Sequence, residues 1–332
     1  MLVGGKPYRT VRWEKGSVKL IEQNLLPFKF KIATCRNFGE TAEAIRNMTV
    51  RGAPAIGAAA GFAMAQAVLA GKPKQGAKTI KATRPTAVDL FHAVDRVAAA
   101  DDAVEEAQAI ADENVRACER IGTFGEKLCG ARVLTHCNAG WLACVDWGTA
   151  LAPIYKRHRK GKRVFVYADE TRPRSQGARL TAWELRNEGV PHAIIADNAA
   201  AYFMQRGKID CVFVGADRIA ANGDFANKIG TLEKAVCAKE FGIPFYVCAP
   251  ETTIDRKCKN GSGIKIEERD GDEVLYQRGL CDDGKIRRVR VCSPKSHARN
   301  PAFDVTPAKL VTAYVTERGV LKRGNLIRLP RK

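Results

Sequence analysis

The spacing of apolar residues changes along the chain and predicts a small sheet followed by a helical region. Up to about residue 35, apolar and polar residues alternate in short runs such as TVRW, SVKLIEQ and FKFKIATC, which is typical of short β-strands. From residue 38 the period lengthens to that of helices. The helical segments are TAEAIRNM, AIGAAAGFAMAQAVLA, AVDLFHAVDRVAAA and a long one over about residues 103–128.

After residue 130 apolar runs alternate with helical patterns. The predicted strands are VLTHC, VFVYADE, HAIIAD, CVFVGAD and FYVCAP, and the predicted helices are 141–157, 177–187, 198–205 and 226–241. Strands rich in Val and Ile that alternate with helices are typical of a parallel sheet covered on both faces. We therefore predict an α/β fold, with a doubly wound parallel sheet in residues 129–332. A mostly helical domain with a small antiparallel sheet precedes it, in residues 1–128.

The composition is that of a globular protein with a large positive charge. Hydrophobic residues make up 45% and charged residues 27% of the 332 positions, and the net charge is +19. This excess favours an anionic partner, which could be nucleic acid, a membrane surface or a phosphorylated metabolite. The first 16 residues lack the apolar core of a signal peptide. The apolar run 52–71 contains Pro54 and Gln66 and favours a buried helix over a membrane span.

The cysteines predict free thiols. Their number is eleven, which is odd, and none forms a CxxC pair or a zinc-binding spacing. Reduced thiols in a cytosol are the expectation, and a disulfide among Cys258, Cys281 and Cys292 is the alternative. The chain also lacks a GxGxxG after a strand and a GxxxxGK[ST] motif, which argues against a nicotinamide enzyme and a P-loop NTPase.

Polar residues follow each of the first four strands of the predicted parallel sheet. These are Cys137 and Asn138, then Asp169, Glu170 and Arg172, then Asp197 and Asn198, then Asp217 and Arg218. Ligands of open α/β sheets bind beyond the carboxyl ends of the strands, so we predict a site there. Helix capping is the alternative for a single Asp, above all for Asp197. Cys137 precedes the predicted helix 141–157, which would favour a thiolate, and a buried structural thiol is its alternative.

Residues 51–54, with the sequence RGAP, have the features of a phosphate-binding helix start. Gly52 allows a close backbone approach, and Pro54 suits the first turn of a helix. The free N–H groups of that turn and the Arg51 guanidinium would attract a phosphate. A Gly-Pro helix start is common, so the motif alone is weak evidence.

Five long motifs resemble the methylthioribose-1-phosphate isomerase family. They are RGAPAIGAAAG, THCNAGWLA, YADETRPRSQGARLTAWEL, VGADRIAANGDFANKIGT and NPAFDVTPAKL, and the resemblance extends over about residues 11–320. The wider superfamily also contains ribose-1,5-bisphosphate isomerases and regulatory subunits of the exchange factor for translation initiation. The resemblance implies conversion of 5-methylthioribose 1-phosphate to 5-methylthioribulose 1-phosphate in methionine salvage. It also implies a Rossmann-like C-terminal domain and a cytoplasmic homodimer.

The resemblance also assigns roles to residues. Cys137 matches the catalytic cysteine and Asp217 the catalytic acid of the family. The positions that match substrate-binding residues are Arg51, Gly52, Ala53, Arg84, Gln176, Asn227 and Lys228. No metal ion or other cofactor is implied.

The substrate explains why an acid is needed. Its C1 carries both the ring oxygen and the phosphate, so the sugar cannot open to a free aldehyde while it keeps the phosphate. A general acid must protonate the ring oxygen, and Asp217 suits this role if an apolar site raises its pKa. A base then removes the C2 proton, or a hydride moves from C2 to C1. Cys137 could act as the base in the first route or assist the second, and the residues do not choose between them.

Two departures from the family pattern leave the sugar and one segment open. Trp141 and Cys144 replace smaller or hydroxylated residues, and Trp141 either shapes the pocket for the C5 end or packs in the core. A 5-deoxyribose 1-phosphate or ribose 1,5-bisphosphate is therefore an alternative substrate. Residues 256–299 are longer and more basic than expected, and they could form a solvated loop, an arm that contacts a second subunit or a lid.

Two other functions compete with the isomerase. Residues 156–163, KRHRKGKR, could bind nucleic acid, but no interleaved aromatic residues or helix-turn-helix pattern accompany them, so a solvated helix end is favoured. A regulatory subunit without catalysis would not need Cys137, Asp217 and Gln176 together. His136 is predicted to point away from Cys137, since neighbouring residues of a strand face opposite sides, and to be structural.

Overall fold

The N-terminal strands form a small antiparallel sheet, as predicted. The computed structural model describes residues 1–84 and 87–326, without the side chain of Arg323. The strands are β1 (Leu2–Val3), β2 (Lys6–Pro7), β3 (Val11–Glu14), β4 (Ser17–Ile21) and β5 (Ile32–Cys35). β1 pairs with β2, and β4 lies between β3 and β5 in the three-stranded sheet. Val18 and Leu20, which alternate along β4, are both buried.

Five helices follow, and the second of them is the centre of the N-terminal core. They are α1 (Phe38–Arg46), α2 (Ala53–Leu69), α3 (Pro73–Lys81), α4 (Val88–Ala98) and α5 (Ala103–Glu126). α2 is buried from Ala55 to Ala67, and the other four helices pack around it. Its small residues permit this close packing. None of the described helices is both long enough and apolar enough to cross a membrane.

The C-terminal half contains a seven-stranded, mainly parallel sheet. Its strands are β6 (Arg132–Thr135), β7 (Phe165–Asp169), β8 (His192–Ile195), β9 (Cys211–Val214), β12 (Phe245–Cys248), β17 (Ala313–Thr316) and β18 (Gly319–Leu321). The spatial order is β8-β7-β6-β9-β12-β17-β18, with only β18 antiparallel to its neighbour. Six parallel strands in the order 3-2-1-4-5-6 define a doubly wound α/β sheet. β7 and β8 are added on one side of β6, whereas β9 and the strands after it are added on the other side, so the strand order reverses between β6 and β9.

Helices cover both faces of this sheet, which confirms the predicted fold class. They are α6 (Ala152–Arg159), α7 (Ala182–Asn187, after a π-helical turn Gly177–Thr181), α8 (Ala200–Gln205) and α9 (Thr231–Glu240). Val133 packs on the face covered by α5, α6 and α7. The next residue, Leu134, packs on the face covered by α8 and α9.

A second sheet adjoins the first, and the prediction missed it. Its strands are β13 (Ile254–Asp255), β10 (Arg218–Ala220), β11 (Phe225–Lys228) and β16 (Phe303–Thr306), in that spatial order. The prediction of a helix over 226–241 is therefore wrong at its start, because Ala226 to Lys228 belong to β11. Gly230, with φ +99°, separates β11 from α9. Only glycine adopts this backbone conformation readily.

The prediction of a helix over 141–157 is also wrong in its first half. Trp141–Ala143 forms a single 3₁₀ turn, and α6 begins only at Ala152. The N–H groups of Trp141 and Leu142 donate to the Glu184 carboxylate instead, at 2.9 and 3.1 Å. A partner distant in sequence therefore replaces the helical hydrogen bonds. As a result, no α-helix begins behind Cys137 to stabilise a thiolate.

Residues 256–299 contain a helical turn and an exposed hairpin. These are α10 (Asp272–Leu275), β14 (Tyr276–Leu280) and β15 (Ile286–Arg290), and every residue of β15 is exposed. The base of the hairpin is tied to the 172–174 loop, since Arg174 pairs with Glu273 at 2.7 Å. The domain boundary at residue 128 stays a prediction. It falls between α5 and β6, but Ile21 and Leu26 share a hydrophobic cluster with Val133.

Candidate active site

A cavity lies at the carboxyl ends of β6 and β9, where the order of the strands reverses. It is lined by all nine of the predicted site residues, which are Arg51, Gly52, Ala53, Arg84, Cys137, Gln176, Asp217, Asn227 and Lys228. These residues come from both halves of the chain. The structure therefore brings together positions that are up to 177 residues apart, from Arg51 to Lys228.

Cys137 lies two residues beyond the end of β6, in a strained conformation. Its φ is +66°, a backbone conformation that residues other than glycine rarely adopt. Its N–H donates to the Thr171 hydroxyl at 2.9 Å, and its carbonyl accepts from the Thr181 hydroxyl at 2.7 Å. Burial raises the pKa of the thiol, although Arg51 and Lys228 oppose the shift. The α-helix expected to favour a thiolate does not begin behind Cys137, and burial favours the protonated thiol in the free site.

Asp217 lies where the chain leaves the parallel sheet for β10. Its N–H donates to the carbonyl of Ala226 at 2.9 Å, which fixes this bend to β11. The side chain of Asp217 is accessible to solvent, but it lines the cavity, where protein atoms surround it. Loss of hydration raises the pKa of its carboxyl against the opposing charges of Lys228, Arg269 and Arg51. The shift keeps the carboxylic acid at a higher pH than usual, as a general acid requires.

A chain of buried hydrogen bonds orients Arg51. Its guanidinium donates to the side-chain oxygen of Asn138, and the amide of Asn138 donates to Glu184 at 2.8 Å. Burial raises the pKa of Glu184 to about 7, even though Tyr155 and two backbone N–H groups also donate to it. Asn138 and Glu184 thus fix the position of Arg51 before a ligand binds, which lowers the entropic cost of ligand binding.

Gly52 is required by packing as well as by its backbone conformation. Its φ is +90°, and a Cβ at this position would lie 2.4 Å from the carbonyl oxygen of Ala143. Gly52 therefore brings the start of α2 against the 3₁₀ turn that follows Cys137. Ala53 and Pro54 form the first turn of α2 and line the cavity.

Three residues of the lining carry buried polar atoms without a hydrogen-bond partner in the described part of the chain. They are Nε of Arg51, Nη1 of Arg84 and Oε1 of Gln176. Buried polar atoms are nearly always paired in folded proteins. These atoms therefore mark where a polar ligand would complete the hydrogen bonding.

Lys228 and Asn227 lie at the end of β11, side by side along the strand. The ammonium of Lys228 donates to the carbonyl of Ala302 at 2.7 Å and lies 4.3 Å from the centre of the Phe303 ring. Burial lowers the pKa of Lys228, while Cys137 and Asp217 raise it. The amide of Asn227 donates to the Thr231 hydroxyl at 2.9 Å.

The prediction missed several residues of the lining. Arg174, Arg269, Phe303, Met48 and Thr149 also line the cavity. Arg174 and Arg269 bring the cations to five, together with Arg51, Arg84 and Lys228. Arg269 lies in the segment 256–299. The sequence shows the positive charge of this segment, but it does not show that the segment lies beside the cavity. The arginine-rich run RPRSQ was the available signal for Arg174.

Three of the four strand-end carboxylates, Asp169, Glu170 and Asp197, are not part of the described lining of the cavity. Asp197 accepts the N–H groups of Thr171 at 2.6 Å and Arg172 at 2.7 Å, so it fixes the loop after β7 instead of capping a helix. Asp169 is fully buried and lies 2.8 Å from Nδ1 of His136. His136 points away from the cavity, as the alternation along the strand predicted.

His136, Asp169 and Asp197 have the residue types of a metal site, but their partners do not suit one. Both oxygens of Asp197 already accept backbone N–H groups. Nδ1 of His136 and the carboxylate of Asp169 are at hydrogen-bond distance, and the Lys234 ammonium lies 3.8 Å from the same carboxylate. A proton and an ammonium group already supply the positive charge that these acids need. The cluster therefore fits an ion-pair network better than a metal centre.

The two residues that depart from the family pattern behave differently. Trp141 is fully buried, and its ring lies 6.0 Å from that of Trp183. It packs in the core and is not part of the described lining of the cavity. Cys144, in contrast, lines the cavity beside Ala143. All eleven cysteines are free thiols, so the alternative of a disulfide among Cys258, Cys281 and Cys292 is wrong for this structure.

The basic run at residues 156–163 is paired with acidic groups. Lys156 contacts Glu119 at 2.7 Å, and Lys160 and Lys162 both contact Glu126, at 2.8 and 2.7 Å. The two lysines lower the pKa of Glu126 to about 2. Because α5 neutralises much of the run, its charge stabilises the fold, which agrees with the favoured interpretation of a solvated helix end.

The comparisons with known proteins agree on one class of protein. The model of the initiation factor 2 subunit family matches residues 49–323. The methylthioribose-1-phosphate isomerase of Methylorubrum extorquens is 49% identical, with 96% of this chain and 95% of the relative aligned. The one of Gluconobacter oxydans is 46% identical, with 96% and 95% aligned.

Two solved structures share the complete fold. The 5-methylthioribose 1-phosphate isomerase of Pyrococcus horikoshii is 45% identical and superposes with a TM-score of 0.88, over 98% of this chain and 96% of that one. A protein of A. fulgidus described as translation initiation factor eIF-2B, subunit delta, is 38% identical, with a TM-score of 0.85 over 97% and 100%. The chain therefore belongs to the initiation factor 2 subunit family and, within it, to the methylthioribose-1-phosphate isomerases.

Proposed function

We propose that this chain converts 5-methylthioribose 1-phosphate to 5-methylthioribulose 1-phosphate, a step of methionine salvage. The observation that carries the proposal is the shared cavity of Cys137, Asp217 and the unpaired polar atoms of Arg51, Arg84 and Gln176. A thiol, an acid with a raised pKa and spare cationic donors are the groups that isomerisation of a sugar phosphate needs.

The cations of the cavity bind the phosphate. The Nε of Arg51 and the Nη1 of Arg84 are free to donate to phosphate oxygens, and Lys228 and Arg269 add positive charge nearby. The first turn of α2, at Ala53, presents free N–H groups to the same cavity. The methylthio group lies against the less polar part of the lining, which includes Met48, Ala143 and Cys144.

Asp217 starts the reaction as a general acid. It donates its proton to the ring oxygen, and the bond between C1 and that oxygen breaks with its electron pair going to the oxygen. C1 is left with a positive charge that the phosphate ester oxygen shares. The raised pKa of Asp217 keeps the proton available for this step.

Two routes lead from this intermediate to the ketose. In one, a base removes the C2 proton to give an enol, and C1 then gains a proton while the C2 hydroxyl loses one. In the other, the hydride at C2 moves to C1 while the C2 hydroxyl loses its proton. Cys137 is placed to exchange a proton in either route once the substrate is bound. Neither route uses a metal ion or a redox cofactor.

A comparison of substrates tests the proposal. The purified protein is assayed for ketose formation with 5-methylthioribose 1-phosphate, 5-deoxyribose 1-phosphate and ribose 1,5-bisphosphate. We expect the highest kcat/KM with the first compound, because the lining near Cys144 is apolar. A higher kcat/KM for the bisphosphate would contradict the choice of sugar. No turnover of any of the three would contradict the isomerase and favour a regulatory subunit.

We also propose that the chain is a homodimer in which the 256–299 segment contacts the partner. The hairpin β14–β15 exposes Leu280, Ile286 and Val289, and Val291, directly after β15, is also exposed. An isolated two-stranded hairpin is rarely stable by itself, so a partner surface would stabilise it. Light scattering should give twice the chain mass for the parent protein. Leu280→Ser with Ile286→Ser should shift it toward the monomer, while Leu69→Ser, at another exposed leucine, should not.

The location we propose is the cytoplasm. Eleven free thiols, seven of them buried, support a reducing compartment. Fractionation of the source cells should place the protein with soluble cytoplasmic enzymes. Recovery in an oxidising compartment would contradict the proposal.

A further inference from the structure

A buried histidine lies next to Cys137 and between two oxygen atoms. His136 is 1% exposed. Its Nδ1 lies 2.8 Å from Oδ2 of Asp169, and its Nε2 lies 2.8 Å from the carbonyl oxygen of Ile229. Both ring nitrogens are therefore at hydrogen-bond distance from oxygen atoms of other elements.

The chemistry of these partners requires an additional proton. The carbonyl of Ile229 can only accept, so Nε2 carries a hydrogen. A neutral imidazole then has no hydrogen on Nδ1, and Asp169 as a carboxylate has none either. One further proton must lie between Nδ1 and Oδ2, on one atom or the other. The charged groups around this pair are Lys234, Asp197 and Asp304.

The two bonds of the imidazole connect two segments of the cavity. His136 precedes Cys137, and Ile229 follows Lys228, so the ring links the end of β6 to the end of β11. Asp169 adds a second connection, because its own carbonyl accepts from the Thr171 hydroxyl at 3.0 Å. The same hydroxyl accepts the N–H of Cys137.

The surrounding backbone is shaped to hold the ring. A Cβ on Gly230 would lie 3.1 Å from both Cε1 and Nε2 of His136. The glycine therefore lets the chain after β11 pack directly on the imidazole. Cys137 itself has a positive φ, and such a conformation persists only where neighbouring contacts enforce it.

We propose that His136 and Asp169 are positioning residues that hold the Cys137 thiol at a fixed place opposite Lys228. Neither side chain touches the substrate. Their two hydrogen bonds hold the end of β6 against the end of β11, and the Thr171 contact keeps Cys137 in its left-handed conformation. This role rests on the proposed function only in so far as Cys137 takes part in the isomerisation.

Alkylation of Cys137 tests the proposal without any need for enzyme activity. The rate of its reaction with iodoacetamide is measured by peptide mass spectrometry from pH 6 to pH 10. In His136→Gln we expect the rate at pH 8 to rise about tenfold, because the thiol becomes less confined and less buried. The matched control is His192→Gln, at the start of β8 in the same sheet, and its rate should stay within about twofold of the parent.

Steady-state kinetics give the second measurement. We expect His136→Gln to lower kcat about 30-fold while KM changes less than about threefold, because the substrate contacts remain. A correctly folded His136→Gln protein with the parent's alkylation rate and kcat would overturn the proposal. If the parent isomerises no sugar phosphate but the alkylation rate still rises tenfold, the proposed function fails and the positioning role stands.

Substitutions at Asp169 decide the question if His136→Gln does not fold. In Asp169→Asn the amide can donate to Nδ1 while Nε2 still donates to Ile229, so the geometry is kept without the shared proton. We expect alkylation within about twofold and kcat within about fivefold of the parent. In Asp169→Ala the contact is lost, and we expect the rates given for His136→Gln. Equal rates in the two variants would contradict the positioning role.

Discussion

The two halves of the molecule contribute different things to the same cavity. The N-terminal helical half supplies Arg51 and Arg84 together with the backbone of Gly52 and the start of α2. The C-terminal half supplies the groups proposed to react, Cys137 and Asp217, at the ends of two adjacent parallel strands. We propose that the N-terminal half binds the phosphate together with Lys228 and Arg269, and that the groups that react come from the C-terminal half alone.

The surroundings of these groups agree with that division. The guanidinium of Arg51 keeps an unpaired Nε, so it has a hydrogen bond left to give to a ligand. Cys137 and Asp217 instead have pKa values raised by loss of hydration, which changes their ability to exchange protons. Substitutions in the two halves should therefore affect KM and kcat differently.

The largest expected effect is that of Asp217→Asn. An amide cannot donate a proton to the ring oxygen, so kcat should fall about 10³-fold with little change in substrate affinity. Steady-state kinetics and calorimetric binding measure the two quantities. Asp282→Asn, in the turn of the exposed hairpin, is the control and should keep the parent's kcat. Activity of Asp217→Asn near that of the parent at every pH would exclude the general-acid role.

Cys137→Ser should have the next largest effect. A hydroxyl is a far weaker acid than a thiol, so kcat should fall about 10²-fold, while the phosphate contacts and KM stay close to those of the parent. The same kinetics check it. The control is Cys281→Ser, in the exposed hairpin segment. A turnover within a few-fold of the parent would remove Cys137 from the mechanism.

Arg84→Gln tests the binding half. Losing one charged hydrogen bond to the phosphate costs about 1.5–3 kcal/mol, so KM should rise about 10- to 100-fold while kcat changes only a few-fold. Arg12→Gln, on the exposed side of the small sheet, should change neither constant. A fall in kcat without a rise in KM would show that the division between the two halves is wrong.

Gly52→Ala tests how α2 is placed against the turn behind Cys137. The new Cβ would meet the Ala143 carbonyl at 2.4 Å, so we expect a loss of stability of about 1–3 kcal/mol and a higher KM. Gly71→Ala is a matched control, because Gly71 also has a positive φ but no atom within 4 Å. Thermal unfolding measures both variants. An equal loss in the two would mean that backbone conformation alone requires Gly52.

The smallest expected effect is the pH dependence from Glu126. Its pKa is lowered to about 2, so its ion pairs stabilise the fold fully above the ordinary value of 4.5 and are lost as the pH falls through 2. Since Lys160 and Lys162 are about half exposed, we expect a contribution below about 1 kcal/mol. Chemical unfolding of Lys160→Ala with Lys162→Ala between pH 2 and pH 7 should show a weaker dependence than the parent. An identical dependence would contradict the assignment.

The sequence predicts best where the pattern is local. The five parallel strands β6, β7, β8, β9 and β12 are short runs rich in Val, Ile and Phe, and the ends of each were predicted to within three residues. α3, with the sequence PKQGAKTIK, was missed because its buried face contains only Gly76 and Ile80. The helix start at residue 141 failed because Glu184, 43 residues away, takes its backbone N–H groups.

The cavity shows the same limit. Cys137 and Asp217 could be predicted because they follow strands whose ends meet at one edge of the sheet. Arg174 and Arg269 were not predicted, because their places beside the cavity depend on contacts with residues distant in sequence, Glu273 for Arg174 and Phe303 for Arg269. The second sheet places Asn227 and Lys228 on a strand, and no spacing within the sequence indicated its partner β16.

The most direct test of the central claim is a phosphorus NMR time course with 5-methylthioribose 1-phosphate. The parent protein and Asp217→Asn are each mixed with the sugar in parallel samples. The account predicts that both perturb the phosphorus resonance of the substrate, while only the parent produces the resonance of the ketose 1-phosphate. A parent protein that leaves the substrate unchanged, or an Asp217→Asn protein that converts it at the parent's rate, would contradict the account.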